Sequence, residues 1–356
     1  MDWYNLPEPQ TSWLIDGLFP SDSPSLVCGK PKAGKSTFIR NLIASVIKGR
    51  KFLGRSVDIP AGTARVLYIH LDYKDQPHTV AKELRQLGIT EGEKDRIVLR
   101  TAEEIPPTSA ERLEWLKKEA DEAKPHLIVI DLMWDFLEAA NQNDYLAVRN
   151  AVNTLQQVLK EAGYKGALVV TAHGRKATNP DDPADDICGS TGQRGSFSTI
   201  VMLARNRNKG IYTIFSEQTN RDEVYGEIEQ TIISRNPDGT LDLGPKLSEL
   251  IKKEKQAKAE ESLQSVLSYI VHHPGCEITE IVNGLNMGKQ SALDLIKESG
   301  IVRRTGRGVK GDPHKYFVDV MGDTTETAAQ GWKVPISAAQ AEASRFADSG
   351  GIGRPV

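Results

Sequence analysis

Eight residues near the start of the chain have the types and spacing needed to bind a phosphate group. Residues 29–36, Gly-Lys-Pro-Lys-Ala-Gly-Lys-Ser, fit the pattern G-x-x-x-x-G-K-[ST] between a strand pattern and a helix pattern. Glycines let the backbone curl so that its N–H groups point at phosphate oxygens, and the helix start adds a favourable dipole. The spacing predicts that Lys35 reaches the β and γ phosphates of ATP and that Ser36 offers a hydroxyl to Mg²⁺. The predicted nucleotide-binding residues are Gly29, Lys30, Pro31, Lys32, Ala33, Gly34, Lys35, Ser36 and Thr37.

A buried strand that ends in an acid supplies the second part of such a site. Four apolar residues, 127–130, are followed directly by Asp131, which is a Walker B pattern. We predict that Asp131 holds Mg²⁺ through water or together with the Ser36 hydroxyl. Trp134 follows closely, and the sequence leaves open whether it packs in the core or faces nucleotide or DNA.

Two further polar residues follow apolar strand patterns. Hydrolysis needs a group that positions the attacking water, and Asp72, after residues 66–71, is the predicted one, with Asp75 as the alternative. His173 follows the apolar residues 167–170 and a Thr-Ala pair. We predict that His173 senses the γ-phosphate or links it to a DNA-binding loop, although a histidine at a strand end is also a common structural feature. A long polar loop, residues 175–195, comes next and would face the channel of a ring.

Strand and helix patterns alternate along residues 25–245. Short, fully apolar, β-branched runs predict strands of a parallel sheet covered on both faces, and helical spacing predicts helices at 37–48, 79–87 and about 146–162. Later strand patterns at 199–203, 212–215 and 227–233 are consistent with antiparallel pairing. The fold class is therefore predicted to be α/β, a P-loop core with a mostly parallel central sheet.

Composition excludes several classes of protein. The chain of 356 residues has 45 Lys and Arg against 48 Asp and Glu, so nucleic-acid binding must come from a local patch. No run of about 18 apolar residues exists, and the acidic, proline-containing start does not resemble a signal peptide. Three widely spaced cysteines exclude a disulfide framework and a cysteine-rich zinc site. We expect a cytoplasmic protein.

Composition also divides the chain. We predict an N-terminal arm at 1–24, the ATPase domain at 25–245, a charged linker at 246–258, a small domain at 259–320 and a disordered tail at 321–356. The arm contains Trp3, Tyr4 and Trp13, so we expect it to pack on its own domain or on a neighbour.

The small domain has three helix patterns followed by a two-stranded hairpin pattern. Its second helix is predicted to begin near Thr279 as N-cap and its third to span 289–299. This order resembles the winged-helix class of DNA-binding domains, which places the start of the third helix against base edges. Glycine-rich residues 305–314 would approach the phosphate backbone. A protein partner, or the ATPase ring itself, is the alternative target. The predicted DNA-binding residues are Lys289, Gln290, Arg303, Arg304, Arg307 and Lys310.

The ordered motifs over residues 12–235 resemble the RecA-like ATPases of the RepA hexameric replicative helicase family. The resemblance is carried by GLFPSDSPSLVCGKPKAGKSTFIRNLIA, KFLGRSV, ARVLYIHLD, HLIVIDLMWDF, LVVTAHGRK and GSTGQRGSFSTIVML. It implies a RecA-like core assembled as a homo-oligomeric, typically hexameric ring, with ATP between subunits and single-stranded DNA in the channel. Lys35 and Ser36 match the Walker A positions, Asp131 the Walker B acid and His173 the strand-end sensor.

Two positions depart from that pattern or leave it open. The family's catalytic acid is normally Glu, whereas this chain has Asp72, which is one methylene shorter and could slow hydrolysis. The arginine that reaches a neighbour's nucleotide is predicted to be Arg221, with Arg205 or Arg194 as alternatives. A finger in trans would make hydrolysis depend on assembly. An ion pair of Arg221 with its acidic neighbours is the structural alternative.

Three functional hypotheses follow. The first is an oligomeric, ATP-driven DNA helicase or translocase that grips a single strand in its ring and duplex DNA through the winged helix. The second is a DNA-binding regulator or replication initiator that uses ATP to assemble and hydrolyses it slowly, which the shorter acid Asp72 favours. The third is a small-molecule kinase, against which the winged-helix pattern and the polar loop argue.

Overall fold

The computed structural model describes residues 11–21, 23–72, 76–137, 145–174, 195–219 and 226–319, and the chain divides into two compact units, Met1–Glu254 and Lys255–Val356. Several predictions lie outside the described residues, namely Asp75, Arg194, Arg221, most of the polar loop, the first ten residues of the arm and the tail. Within the described residues, no helix has both the length and the apolar character required to cross a bilayer.

Eleven strands are described in the N-terminal unit. Nine of them form one sheet in the order β11-β10-β9-β8-β3-β7-β6-β4-β5, and the other two form a small antiparallel pair near the start of the chain. The strands are β1 (Trp13–Ile15), β2 (Phe19–Pro20), β3 (Pro24–Gly29), β4 (Val66–His70), β5 (Ile97–Thr101), β6 (Leu127–Asp131), β7 (Ala167–His173), β8 (Thr199–Asn206), β9 (Ile211–Gln218), β10 (Thr231–Arg235) and β11 (Leu241–Lys246).

The sheet is mostly parallel. Strands β5, β4, β6, β7, β3 and β8 pair parallel in that spatial order, which is the arrangement that crossover connections produce. Strands β9, β10 and β11 extend the β8 side antiparallel. The predicted α/β class with a mostly parallel central sheet is confirmed. Among the later strands, β8 differs from the antiparallel expectation because it lies directly beside β3.

Helices cover both faces of the sheet. One face packs on α1 and α2, and the other packs on α3, α4 and α5, so that each face buries its own apolar core. Full burial explains why β3, β6 and most of β7 read as continuous apolar runs. The helices are α1 (Lys35–Lys48), α2 (Pro77–Gln86), α3 (Ser109–Ala123), α4 (Met133–Leu137) and α5 (Tyr145–Glu161).

Helix α1 shows how the sequence sets the element that carries the phosphate loop. It begins after Gly34 and ends at Gly49, and both glycines adopt left-handed backbone angles that other residues rarely take. Between them, apolar residues at helical spacing face the core, and Phe38 packs edge-on against Phe52 with ring centroids 5.1 Å apart. Burying a side chain of this size stabilises the fold by roughly 1.5–3 kcal/mol.

The C-terminal unit has its own apolar core. Its elements are α6 (Leu247–His272), which begins in the N-terminal unit, β12 (Cys276–Glu277), α7 (Ile278–Leu285), α8 (Lys289–Ser299), β13 (Val302–Thr305) and β14 (Lys315–Val318). Strand β14 is central and pairs antiparallel with both β12 and β13. Tyr316, on β14, is buried in the core between these strands.

One local prediction needs correction in this region. The predicted charged linker is helical, since α6 runs unbroken from Leu247 to His272. Helix α7 begins at Ile278 with Glu277 as its N-cap, and the Glu277 backbone N–H donates to the Glu280 side chain as in a capping box. Thr279 is therefore not the cap. The third predicted helix has the expected bounds of α8.

Candidate functional site

The loop between β3 and α1 approaches the neighbouring strand β8 very closely. A Cβ added to Gly29 would lie 2.3 Å from the backbone oxygen of Leu203, so only glycine fits there. Gly34 has φ 97° and Lys32 has φ 68°, and the backbone N–H of Ala33 donates to the Lys30 carbonyl at 3.0 Å. These features form a compact curl that leads directly into the helix.

The first turn of α1 is open to an anion. No side chain caps this helix, because its N-cap is Gly34, and no acidic residue lies in its first turn. The first N–H groups of a helix have no partner within it, and together with the helix dipole they attract negative charge. Ser36 and Thr37 belong to this turn and are partly exposed, while Lys30 is half-buried and Pro31 and Lys32 are exposed.

The Lys35 ammonium lies folded over the loop. Its Nζ donates to the Gly29 carbonyl at 2.9 Å and to the Lys30 carbonyl at 3.5 Å, and lies 3.2 Å from Nδ1 of His173. The strand register explains the last contact, since Gly29 pairs with His173 across β3 and β7. Partial burial and the Lys35 charge lower the pKa of His173. At neutral pH the ring is therefore neutral, and its Nδ1 can accept a hydrogen bond from the Lys35 ammonium.

Asp131 ends β6 with a buried carboxylate that has several partners. Thr171 donates its hydroxyl to Oδ1, and the Tyr68 hydroxyl donates to Oδ2 at 3.3 Å. The His70 Nδ1 lies 3.9 Å from the same Oδ2. Burial alone raises the pKa of Asp131, but His70, the Thr171 hydrogen bond and the Lys35 charge outweigh burial and place the pKa below its ordinary value. Asp131 is therefore ionised although it is buried.

The buried histidine and tyrosine form a chain of donors toward that carboxylate. His70 stands opposite Asp131 in the register of β4 and β6, and its Nδ1 lies 3.2 Å from the Tyr68 hydroxyl. A phenol has one proton, and if Tyr68 gives it to Asp131, Nδ1 of His70 must carry the proton between them. These contacts hold the Asp131 side chain in one rotamer.

Three carboxylates share one electrostatic environment with His173. The charges of Asp135, Asp131 and Asp72 each act on His173 and oppose the lowering of its pKa. Burial, together with the nearby charges of Asp72 and Asp131, raises the pKa of Asp135 although His173 and Arg112 oppose this. The predicted residues Lys35, Asp72, Asp131 and His173 thus meet at the carboxyl edge of the sheet.

Sequence reasoning missed four residues of this cluster. Tyr68 and His70 lie two positions apart on β4 and therefore face the same side, and a Tyr and a His inside an apolar strand are a recognisable signal. Thr171 gives the same signal in β7. Asp135 lies on the short helix α4, and no local pattern indicated that α4 turns it toward Asp72. Trp134, on α4, is buried in the apolar core, as the packing interpretation expects.

The alternative arginine Arg205 lies beside the phosphate loop. Its guanidinium stacks over the Tyr212 ring at 5.1 Å from the centroid, and the Tyr212 ring lies 3.9 Å from a Cβ position built on Gly34. Arg205 and Tyr212 are paired across β8 and β9, so the strand register sets this stack. Arg221, the preferred finger, lies outside the described residues, as does Arg194.

The predicted DNA-binding residues lie on two elements of the C-terminal unit. Lys289 and Gln290 begin helix α8, and the Gln290 amide donates to Asp294 at 2.8 Å. Arg303 and Arg304 lie on β13. Arg307 and Lys310 are in the exposed turn between β13 and β14. The residues are thus split between a helix start and a hairpin.

The site fits ATP with Mg²⁺ rather than a metal caged by the protein alone. Within the described ranges, no group of three or more His, Cys, Asp or Glu side chains could hold a metal ion. Mg²⁺ is usually held by one or two protein oxygens together with substrate phosphates and water. The ionised Asp131 and the Ser36 hydroxyl at the start of α1 are that kind of donor set.

One family model matches the part of the chain that contains the phosphate loop and Asp131. The family model described as AAA domain matches residues 1–179, which is half of the chain. A solved structure of a KaiC-like protein from the hyperthermophilic archaeon Pyrococcus horikoshii OT3 aligns at 13% sequence identity and a TM-score of 0.46. That alignment covers 66% of this chain and 99% of the other. No curated protein matches the chain.

Proposed function

The chain belongs to the AAA domain family, and from this premise we propose that it is an oligomeric, ATP-driven DNA helicase or translocase acting in DNA replication or repair. The observation that carries the proposal is the meeting of Lys35, Asp131, Asp72 and His173 at one edge of a mostly parallel sheet. A loop lysine, an acid for the metal and a second acid for water are the parts that ATP hydrolysis requires. The protein is proposed to act in the cytoplasm.

Phosphate binding falls to the loop and the start of α1. The uncapped N–H groups of the first turn would hold the β-phosphate, and Lys35 would exchange one of its carbonyl contacts for a γ-phosphate oxygen. Because Lys35 also contacts His173, movement of the ammonium toward the nucleotide changes the partner of that histidine. This contact gives His173 a physical means to report the presence of the γ-phosphate.

Metal binding falls to Ser36 and Asp131. When bound, Mg²⁺ neutralises charge on the β and γ phosphates. The Ser36 hydroxyl would be a direct ligand, and the buried Asp131 would accept hydrogen bonds from metal-bound water. Thr171, Tyr68 and His70 would keep the Asp131 carboxylate oriented and ionised.

We assign water activation to the acids whose charges act on His173. Asp72 would orient the attacking water and accept its proton as the bond to the γ-phosphorus forms and the bridging oxygen leaves with ADP. Asp135, whose pKa is raised by burial and by the charges of Asp72 and Asp131, is the second acid of this group. Arg221 of a neighbouring copy, with Arg205 as the alternative, would neutralise charge in the transition state. If Arg221 of a neighbouring copy completes the site, hydrolysis requires assembly.

The C-terminal unit is proposed to be a winged-helix module that binds DNA. Three helices, α6, α7 and α8, precede the hairpin β13–β14, and this order supports the assignment. The hairpin presents Arg303, Arg304, Arg307 and Lys310 at an exposed surface. Backbone phosphates are the partner that such a surface fits.

One observation favours a second function, an ATP-controlled DNA-binding regulator or replication initiator with slow hydrolysis. The catalytic position holds Asp72, whose carboxylate is one methylene shorter than the glutamate of the resembled family. A small displacement of the base from the attacking water can slow catalysis by about a hundredfold. A slow ATPase would still assemble on ATP and bind DNA through the C-terminal unit.

Strand displacement and ATP hydrolysis, measured together, discriminate between these functions. A forked DNA substrate should be unwound by the wild type and not by the Lys35→Ala variant. Single-stranded DNA should raise the ATPase rate of the wild type. A rate that stays near zero with and without single-stranded DNA contradicts the motor and favours the regulator, provided that ATP still promotes assembly.

A further inference from the structure

The hairpin β13–β14 carries an uneven distribution of charge. Between residues 302 and 319 the chain has five basic side chains and two acidic ones, and all five basic residues are exposed. The acids are Asp312, in the turn, and Asp319, after β14. The basic residues are Arg303, Arg304, Arg307, Lys310 and Lys315.

Both acids are already used within the hairpin. Arg303 donates from Nε to Asp319 at 3.1 Å and lies over the Phe317 ring, and Arg307 donates from Nε to Asp312 at 3.0 Å. Within the described part of the chain, no carboxylate lies at ion-pair distance from Arg304, Lys310 or Lys315. Three positive charges therefore face solvent without a counter-ion from the described residues.

One acid stands opposite Lys315 without forming an ion pair with it. Glu277 pairs with Lys315 in the register of β12 and β14, but the ion pairs of the described residues do not include this one. The backbone N–H of Glu277 donates to the Glu280 carboxylate at 2.7 Å in the capping box that starts α7. Lys315 thus keeps its charge available on the outer side of the strand.

Backbone hydrogen bonds fix the turn that presents Lys310. The N–H groups of Gly308 and Val309 donate to the Asp312 carbonyl, at 2.9 and 3.2 Å, and Asp312 donates back to Val309 at 2.9 Å. Arg307 donates its own backbone N–H to the Asp312 carboxylate at 3.1 Å. A fixed turn loses little conformational freedom when it meets a ligand, which favours binding.

Helix α8 offers a contrasting surface. Its exposed charges are balanced, with Lys289 and Lys297 against Asp294 and Glu298. The Gln290 amide, the group expected to read a base edge, is hydrogen-bonded to the Asp294 carboxylate. Carboxylates on this face would meet the phosphates beside the major groove at an energetic cost. The helix start is therefore a poor reader of base edges.

We propose that the C-terminal unit binds duplex DNA through the phosphate backbone by its hairpin, with Arg304, Lys310 and Lys315 as the contacts, and that it does not read sequence through α8. This inference rests on the proposed DNA-directed function and names the surface that serves it. Phosphate contacts position a protein without distinguishing base pairs. The module would then hold any duplex next to the motor.

Duplex affinity of the full-length chain tests the assignment. Binding to two blunt duplexes of unrelated sequence is measured by fluorescence anisotropy over a range of salt concentrations. Combined Arg304→Ala, Lys310→Ala and Lys315→Ala substitutions should weaken binding by about 30-fold or more and reduce the slope of log affinity against log salt by about three. The wild type should bind the two sequences within about threefold of each other.

A matched triple variant controls for the loss of charge. Lys255→Ala, Lys258→Ala and Lys297→Ala remove three exposed lysines from the same unit but lie outside the hairpin, so affinity should change by less than about threefold. Combined Arg304→Gln, Lys310→Gln and Lys315→Gln substitutions keep most of each side-chain stem, so this second variant should fold and should lose affinity as the alanine triple does. An equal loss in the hairpin and control triples overturns the assignment, as does an equal loss after Lys289→Ala with Gln290→Ala.

Two other outcomes separate this inference from the proposed function. A preference above about tenfold for one duplex sequence overturns the backbone-only assignment while leaving the motor intact. Absence of duplex binding by the wild type also overturns the hairpin assignment. If single-stranded DNA still stimulates ATP hydrolysis in the same preparation, the proposed function stands although the hairpin assignment is wrong.

Discussion

Charged side chains are held in opposite ways in the two units of the chain. In the N-terminal unit, Lys35 and Asp131 are buried, and each has several polar partners at defined distances. In the C-terminal hairpin, Arg304 and Lys310 are exposed, and the described residues place no carboxylate at ion-pair distance from either.

The difference in burial is consistent with the functions proposed for the two surfaces. Burying a charge costs several kcal/mol unless hydrogen bonds and an opposite charge offset that cost, so a buried charge is held at one position. Fixed position is what transfer of a single phosphoryl group requires. An exposed charge keeps its hydration and its freedom, which suits a repeating phosphate backbone. Substitutions in the two regions should therefore differ in size and in salt dependence.

The largest effect is expected at the phosphate loop. Lys35→Ala removes a side chain that contacts Gly29, Lys30 and His173 together, and ATP hydrolysis should fall by about a thousandfold. Phosphate release by purified protein measures the rate. Lys51→Ala, an exposed lysine just after α1, is the control and should keep the wild-type rate. Equal rates in the Lys35→Ala and Lys51→Ala variants would contradict the role of the loop.

The next effect is expected at the acid that positions water. Asp72→Asn keeps the size of the side chain but removes its basicity, so hydrolysis should fall by about a hundredfold. Asp72→Glu restores the longer acid of the resembled family and should retain or raise the wild-type rate. Single-turnover measurements separate this step from nucleotide binding. A wild-type rate in the Asp72→Asn variant would move the role to Asp135, the other acid beside His173.

A smaller effect is expected below the metal site. Thr171→Val removes the hydroxyl that donates to Asp131 while keeping the volume of the side chain. The Mg²⁺ concentration that gives half-maximal hydrolysis should rise by about ten- to a hundredfold. Thr171→Ser keeps the donor and should behave as wild type. If Val and Ser variants have the same Mg²⁺ dependence, the hydroxyl does not orient the acid.

In the hairpin, the stability of the turn should depend on the glycines that adopt positive φ angles. A Cβ at Gly308 would lie 2.5 Å from the His314 ring, and φ there is 74°. Gly308→Ala should destabilise the turn by about 1 kcal/mol or more. Gly311→Ala is strained by its φ of 94° but meets no atom within 4 Å, so its effect should be smaller. Hydrogen exchange at the turn amides measures both, and equal protection in the two variants would contradict the ordered turn.

The smallest effect concerns pH and lies away from the nucleotide. Burial, with the Arg65 charge, lowers the pKa of His126, whose Nδ1 accepts from the Arg65 backbone N–H at 3.2 Å. The unfolded chain then binds more protons than the folded one, so the free energy of unfolding falls as pH drops below about 6.5.

Substitution of His126 by Asn isolates that contribution. His126→Asn keeps an acceptor and cannot titrate. Between pH 7.5 and 5.5 its free energy of unfolding should therefore fall by less than that of the wild type, and the two falls should differ by under about 1 kcal/mol. Urea unfolding at the two pH values measures the difference. His78→Asn, at an exposed histidine, is the control. A pH dependence in His126→Asn equal to that of wild type would contradict the assignment.

Local motifs identified residues that the structure brings together at the carboxyl edge of the sheet, and the catalytic roles of these residues stay predictions. The phosphate loop, Asp131, Asp72 and His173 each follow an apolar strand, and parallel strands bring their carboxyl ends to one edge. Their partners were harder to predict because contacts such as Thr171 with Asp131 join residues 40 positions apart. The position of Asp135 could not be predicted without the orientation of α4, and a helix of five residues is too short for a periodic pattern to indicate that orientation.

Elements at the margin of the sheet were missed for a related reason. Strand β5 is an edge strand whose five residues are all half-buried, and its apolar run, residues 97–99, is shorter than the four-residue run of β6. Helix α3 buries only a narrow stripe, including Leu116 and Ala120, and is otherwise charged. Its clearest sequence signal is the capping box of Thr108 and Glu111, which sequence reasoning did not use.

The dependence of ATP hydrolysis on protein concentration tests the central claim most directly. Phosphate release per chain is measured with single-stranded DNA present, while sedimentation at the same concentrations reports the size of the particle. If the site is completed by a neighbouring copy, the rate per chain should rise steeply as oligomers form and should vanish where monomers prevail. A constant rate per chain down to concentrations at which the protein sediments as a monomer would contradict the account.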